Sequence, residues 1–453
     1  MEYGIISCIP IAVLIIGVLI TKRMPEMIIL SSIIGAVLVY KAKFFTGYVG
    51  LLYGALANES YQFLLILLLG FGGMIKLFEK SGALQGFGKA ISKLADGPKK
   101  SMVATWIMGV LMFVDDYLNV LAVSSSMRGI TDKNGVPREH LAYGVNSMGA
   151  CVCVLIPFTS WATFAMGVMS DQGLGFSDYV RALPYMFFPI IAILVCLLVA
   201  VGVIPKVGLI KKAYQRVADG GPVLVKEETE GASIVNMGSS DSEEEPEATS
   251  ALNFFIPIIV LIVVMIIWDN NVVNGIMAAL VCQLIMYMAQ KIMTLGEFLE
   301  NFFEGLQGMA PLAFIIMFAY ILGATNDEMG FSTYIIGILT KTIPAQLLPM
   351  ITFLVVAAVA FAAASFWVLI VITVPIFVPL AVSMGIDPAI VVAAIMSGVA
   401  FGSKFCFYSD AVFMTSAGTG VSNMTQIKAV APYVLGSAAL AAIIFGVVGF
   451  IAA

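Results

Sequence analysis

Ten apolar runs decide what this chain can fold into. They lie near 4–21, 26–40, 61–78, 141–169, 182–204, 251–268, 271–290, 307–323, 388–418 and 430–452. A helix of roughly 20 apolar residues crosses about 30 Å of hydrocarbon. At that depth the backbone finds no water, so its polar groups must be satisfied within helices. The 453-residue chain is 60% hydrophobic and 11% charged, against about 25% charged in soluble domains. The expected fold is an all-α polytopic membrane protein. The first run lacks a basic leader and a small-residue cleavage site, and reads as a retained span.

Two further apolar regions, 101–127 and 346–385, do not read as plain spans. The first holds Asp115-Asp116 at its centre, then Tyr117-Leu118-Asn119. A charged side chain at the middle of a membrane helix costs about 2.5–3.5 kcal/mol, so it usually marks an ion or solute path. Basic residues cluster in 79–100 (Lys80, Lys89, Lys93, Lys99, Lys100), 128–139 (Arg128, Lys133, Arg138) and 205–216 (Lys206, Lys211, Lys212, Arg216). If 101–127 turns back at Asp115–Asn119, all three clusters share one side, as the positive-inside rule favours. The other reading is one long span with buried aspartates. The second region carries Ala364-Ser365-Phe366-Trp367 at the comparable place.

Residues 205–250 break the pattern. They turn acidic (K-E-E-T-E and S-S-D-S-E-E-E-P-E) and are expected to form a flexible cytoplasmic linker between halves 1–204 and 251–453. The halves match in order and hydropathy at an offset near 249, with Asp115-Asp116-Tyr117 against Ala364-Ser365-Phe366. Each half reads as five crossings plus a re-entrant hairpin, giving about ten full spans and two hairpins. An odd number of crossings turns the second half over, which makes an inverted repeat. The chain is then a multi-pass protein of the cell membrane. No basic patch marks a nucleic-acid partner. The six cysteines lie in apolar segments and read as packing residues, and no cofactor is implied.

Inverted-repeat transporters form their sites at midplane, where broken helices expose backbone groups and helix-end dipoles. Four breaks are readable: Asp115–Asn119, Pro157–Ser160, Ala363–Trp367 and Gly402–Asp410. Hard oxygen ligands for Na+, or a proton carrier, are available at Asp115, Asp116, Asn119, Ser160, Ser409 and Asp410. Na+ is assigned to Asp115, Asp116 and Asn119. Asn146, Thr159, Ser365 and Lys404 are candidates for a small-molecule substrate. Blander roles compete. Asp115 or Asp116 reads equally as a helix N-cap. Asp410 reads as a salt-bridge partner of Lys404, and Lys404 also as an anion ligand or a snorkelling side chain. Lys76 reads as snorkelling, and Asn146, Ser147 and Ser365 as interhelical glue. His140, read in a loop, is a candidate pH sensor.

The stretch D-D-Y-L-N…M-R-G-I-T-D…P-R-E-H-L-A-Y at 115–143 resembles the best-marked motif of the NhaC-type Na+/H+ antiporter family. P-F-T-S-W at 157–161 and F-G-S-K-F-C-F-Y-S-D at 401–410 fall where that family has P-x-S-x-W and F-G-D-H-C-S-P-x-S-D. The resemblance implies a secondary transporter with elevator-type movement, often a homodimer. By position it implies cation or proton roles for Asp115, Asp116, Asn119, Ser160 and Asp410. Three positions depart from the pattern: Asn146 replaces Asp, Ser403-Lys404 replaces Asp-His, and Gly129 replaces Pro. Removing one carboxylate and adding an ammonium raises the local charge by about two units. That favours a carboxylate-bearing solute, such as an amino acid, over plain Na+/H+ exchange.

Overall fold

The computed structural model describes every residue except 1–2, 22, 93–94, 226–246, 269–270, 332–333, 335–337, 339–341, 364–365, 407–408 and 453; at a few others, Asp410 among them, it describes the backbone alone. The first half contains α1 (Ile9–Thr21), α2 (Met24–Tyr40), α3 (Phe44–Ala57), α4 (Glu59–Lys80), α5 (Ala83–Ser92), α6 (Pro98–Leu111), α7 (Asp116–Lys133), α8 (Arg138–Leu155), α9 (Ser160–Ser170), α10 (Phe176–Ala182) and α11 (Phe187–Val201). After α12 (Gly208–Ala218) come α13 (Leu252–Ile267), α14 (Val272–Ala289), α15 (Leu295–Glu328), α16 (Leu348–Ala363), α17 (Phe366–Ser383), α18 (Pro388–Phe405), α19 (Asp410–Thr419) and α20 (Asn423–Ala452). No strand occurs among the described residues.

Among the described residues, by length and apolarity seven segments can cross a membrane, or nine if two bent pairs each count as one span. The pairs are α8 with α9, bent by 41°, and α10 with α11, bent by 52°. About ten crossings were expected. Runs 4–21 and 251–268 fall short, their α-helices, α1 and α13, having 13 and 16 residues, while α17, expected as part of a hairpin at 346–385, is long and apolar enough to count. The protein is polytopic and all-helical.

α8 and α18 form the centre. Residues 139–154 of one and 389–404 of the other are buried on every side. A helix apolar all round belongs in the interior of a bundle. α4 and α15 cross backbone to backbone: a Cβ on Gly305 would stand 2.3 Å from the Gly72 carbonyl oxygen. Beside that crossing Lys76 pairs with Glu304 of α15 at 2.8 Å, so it is held by a partner rather than snorkelling alone.

Segment 101–127 is split into α6 and α7, which pack against each other. At its open end Asn134 accepts from the Gly97 amide at 3.0 Å and donates to the Ala95 carbonyl at 3.2 Å, pinning the start of α6 to the end of α7. Its first arm, α6, has 14 residues and spans about 21 Å, too short to cross. The stretch 205–250, expected to be flexible, opens with α12, which packs on α8. Arg216 clasps the buried Glu139 through two hydrogen bonds of 2.8 and 3.1 Å. His140, expected in a loop, lies inside α8. It is buried, with Nδ1 2.8 Å from the Tyr214 hydroxyl, because α12 covers this end of the helix.

Helix starts recur through the chain. α6, α7, α8 and α9 begin at 98, 116, 138 and 160; α16, α17, α18 and α19 begin at 348, 366, 388 and 410, each 250 positions on.

Candidate ion and solute site

Two chain breaks meet at the centre of the molecule. α8 stops at Leu155 because Pro157 offers no amide donor and pushes the preceding residue out of helical geometry. Ile156 accordingly has φ −110° and ψ 119°. α6 stops at Leu111, and α7 restarts on Asp115, whose backbone is extended (φ −151°, ψ 146°). The breaks are stitched together: the Ser160 amide donates to the Val114 carbonyl at 3.0 Å, and the Cys153 thiol to the Phe113 carbonyl at 3.2 Å.

The paired aspartates do different work. Asp115 caps α7, accepting from the amides of Tyr117 at 3.0 Å and Leu118 at 3.2 Å. Its other oxygen accepts from the Ser160 hydroxyl at 2.7 Å. Asp116 points across the crossing, where the Trp161 indole N–H donates to it at 2.8 Å. Both are buried, at 1% and 2% exposure. Asn119 closes the tip from within: its amide nitrogen donates to the carbonyls of Gly109 at 2.6 Å and Met112 at 3.0 Å. Those carbonyls belong to the last turn and C-cap of α6, which has no helical partner for them. The Asn119 Oδ1 has no partner among the described residues, though the side chain is fully buried. Thr159 caps α9 through the Ala162 amide and donates to the Cys153 carbonyl at 2.6 Å.

Asn146 lies one turn from this cluster. Residues 146, 149 and 153 share one side of α8, and a Cβ on Gly149 would stand 3.8 Å from the Cβ of Asp116. Asn146 is 5% exposed, and neither polar atom of its amide has a partner among the described residues. A buried polar group without a partner is destabilising by about 1–3 kcal/mol, so such a site invites a ligand.

The second half supplies its own break. Ser409 caps α19 through the Val412 amide at 3.2 Å and donates to the Ser403 carbonyl at 3.1 Å. Lys404 does not snorkel. It is 1% exposed, and its ammonium donates to the Ser147 carbonyl of α8, beside the Cys151 thiol. Ser365 and the Asp410 side chain lie outside the described residues, and with them the expected Asp410–Lys404 pair. Asp115, Asp116, Asn119, Thr159 and Ser160 thus come together, and Asn146 and Lys404 flank neighbouring turns of α8.

Two tryptophans escape a reading by charge. Trp161 donates to Asp116 and packs on Trp367 of α17, with ring centroids 5.2 Å apart. The Trp367 indole N–H is buried with no partner among the described residues. Both aromatic positions are visible in the sequence, at the ends of P-F-T-S-W and A-S-F-W, but their contacts are tertiary.

The described architecture resembles that of solved transporters. The Alcanivorax borkumensis YdaH transporter superposes with TM-score 0.60 at 13% identity, over 90% of this chain and 89% of that one. Neisseria gonorrhoeae MtrF gives TM-score 0.50 at 14% identity, over 90% and 84%. At these identities the likeness is one of fold. An uncharacterized Haemophilus influenzae protein is 22% identical over 429 residues, 87% of this chain and 79% of that protein. A family model described as "Na+/H+ antiporter family" matches residues 152–450, from the second arm of the crossing through α20. With well over half of its length matched, the chain belongs to the Na+/H+ antiporter family of cation-coupled transporters.

Proposed function

We propose that this transporter couples Na+ or H+ movement to that of a small carboxylate-bearing solute, such as an amino acid. The observation that carries the reading is Lys404, a buried ammonium on α18 held against α8 one residue from Asn146, whose amide has no partner among the described residues. A fixed cation repels Na+ and attracts a carboxylate, and the Asn146 amide offers both a donor and an acceptor to it. MtrF is described as one of a class of antimetabolite efflux pumps, which accords with an organic cargo.

In this reading Asp116, Asn119 Oδ1 and the Ser160 turn take the coupling ion, with Asp115 fixing their geometry. Ser409, at the cap of α19, contributes from the second half. Ion binding neutralises the carboxylates, which eases their passage through an apolar interior. The fixed 250-residue recurrence supports two repeats, and helix direction supports their inversion. α8 starts on the α12 face. Its counterpart α18 starts near Arg181, which pairs with Asp387 at 2.5 Å, on the far side beyond α9. An elevator-like movement in the cell membrane, a cytoplasmic 205–250 linker and a homodimer complete the proposal.

Plain Na+/H+ exchange is the second reading, favoured by the family's description. Proteoliposomes with imposed Na+ and pH gradients, offered a panel of amino acids and dicarboxylates, separate the two. Gradient-driven solute uptake that Lys404→Met abolishes supports the first. Cation exchange indifferent to every solute supports the second. Asp116→Asn should end ion dependence under both, and normal transport by that variant would remove Asp116 from the site.

A further inference from the structure

A groove of about 200 Å³ opens between α6 and α11 at the face carrying the three basic clusters. Its floor is apolar, from Val103, Ala104, Ile107 and Val201, and Lys99 and Lys100 stand at its mouth. Deeper along the same pair of helices, the Trp106 indole N–H donates to the Ile193 carbonyl at 3.0 Å, closing the groove toward the membrane centre.

The charge at the mouth is unbalanced. Lys99 reaches across to the end of α11, where a Cβ on Gly202 would stand 3.4 Å from its ammonium. Lys206, just beyond α11, lies near enough to feel that charge. Burial, and then the Lys99 ammonium, pull it below its ordinary pKa. Lys206 also stands 3.6 Å above the Tyr214 ring, which fixes its position. Among the described residues neither Lys99 nor Lys206 has a carboxylate within 4.0 Å, while Lys100 has only the exposed Asp96 at 3.7 Å. Crowded ammonium groups above an apolar channel match a molecule with a phosphate at one end and a hydrocarbon chain at the other.

We propose that this groove holds one anionic phospholipid, with its phosphate between Lys99 and Lys206 and an acyl chain along Val103, Ile107 and Val201. Basic pockets between membrane helices on the cytoplasmic side are a recurring form of lipid recognition. The α6 N-terminus adds the positive end of a helix dipole. Because α6 is the first arm of the hairpin that ends at Asp115, the lipid ties this hairpin to α11.

The test is native mass spectrometry of the full-length protein, titrated with phosphatidylglycerol or with phosphatidylcholine of the same chains. The first phosphatidylglycerol should bind at least tenfold more tightly than phosphatidylcholine. The double variant Lys99→Gln with Lys206→Gln should lose that tenfold preference, and Val201→Trp, which fills the groove, should weaken binding of both lipids at this site. Lys43→Gln, an exposed lysine on the turn Lys41–Lys43, controls for net charge and should bind as the parent does. Equal binding of the two lipids, or an unchanged preference in the double variant, overturns the proposal. So does competition by sn-glycerol 3-phosphate as effective as that by the lipid, since the site would then be one for free phosphate.

Discussion

Replacing Asp115 tests whether the two adjacent aspartates divide structural and ion-handling work. Asp115→Ala removes acceptors from two backbone amides and from the Ser160 hydroxyl. Loss of an N-cap is destabilising by about 1 kcal/mol and at most about 2. Leaving a buried hydroxyl without its acceptor adds about 1–3 kcal/mol. The sum, about 2–5 kcal/mol, should appear as a lower unfolding midpoint in SDS titrations of the protein in mixed micelles. Asp115→Ser restores a cap without a charge, so it should recover about 1 kcal/mol and retain cation-dependent transport in proteoliposomes. Asp116→Asn should behave in the opposite way, stable but without ion coupling. An Asp115→Ala variant as stable as the parent would refute the capping role. A stable Asp115→Ser variant with no ion dependence would make Asp115 a ligand and end the division of labour.

Other perturbations follow from packing. Gly305→Ala drives a methyl group toward the Gly72 carbonyl, and overpacking of this kind is destabilising by about 1–3 kcal/mol. Gly72→Ala strains the same crossing, so the double variant should fall short of the sum of the two, and full additivity of the unfolding midpoints would contradict the contact. Arg216→Ala strands the buried Glu139. The loss should be near 3 kcal/mol, the lower end for buried pairs, because the Arg216 side chain is 24% exposed. Limited trypsin digestion should then cut faster at Lys211 and Lys212 on the released α12, and an unchanged rate would show that other contacts hold the helix.

The break between α6 and α7 is legible in the sequence because the costly charges of Asp115 and Asp116 interrupt an apolar run there. The end of α8 is legible because proline acts locally on the residue before it. The features that escape are those decided by distant partners. Helix α3, which holds Gly47, Gly50 and Gly54, lies outside the ten apolar runs, yet it packs beside α2 and α15. α12 is hidden in a polar stretch because its partners, Glu139 and His140, lie some 70 residues earlier. The grouping of Asp115, Asp116, Asn119 and Ser160 is foreshadowed by their place at two breaks. Which aspartate caps and which faces Trp161 is not, since adjacent residues differ only in their direction around the new helix.

That direction matters because the two halves meet through reciprocal pairs. α7 packs on α19, where a Cβ on Gly418 would run into the Ser124 hydroxyl. α9 packs on α17 through Trp161 and Trp367. At the 250-residue offset, α17 is the counterpart of α7 and α19 of α9, so each contact is the other with the halves exchanged. α19 ends beside Arg138, which donates to the Thr419 carbonyl at 3.1 Å, on the face where α8 begins. α9 continues from the opposite end of α8 and runs away from that face. Counterpart helices therefore start near one centre and point to opposite sides. Such an arrangement gives each face its own helix leading to the aspartates. Under the alternating movement proposed above, closing one pair and opening the other would exchange equivalent contacts instead of breaking unlike ones.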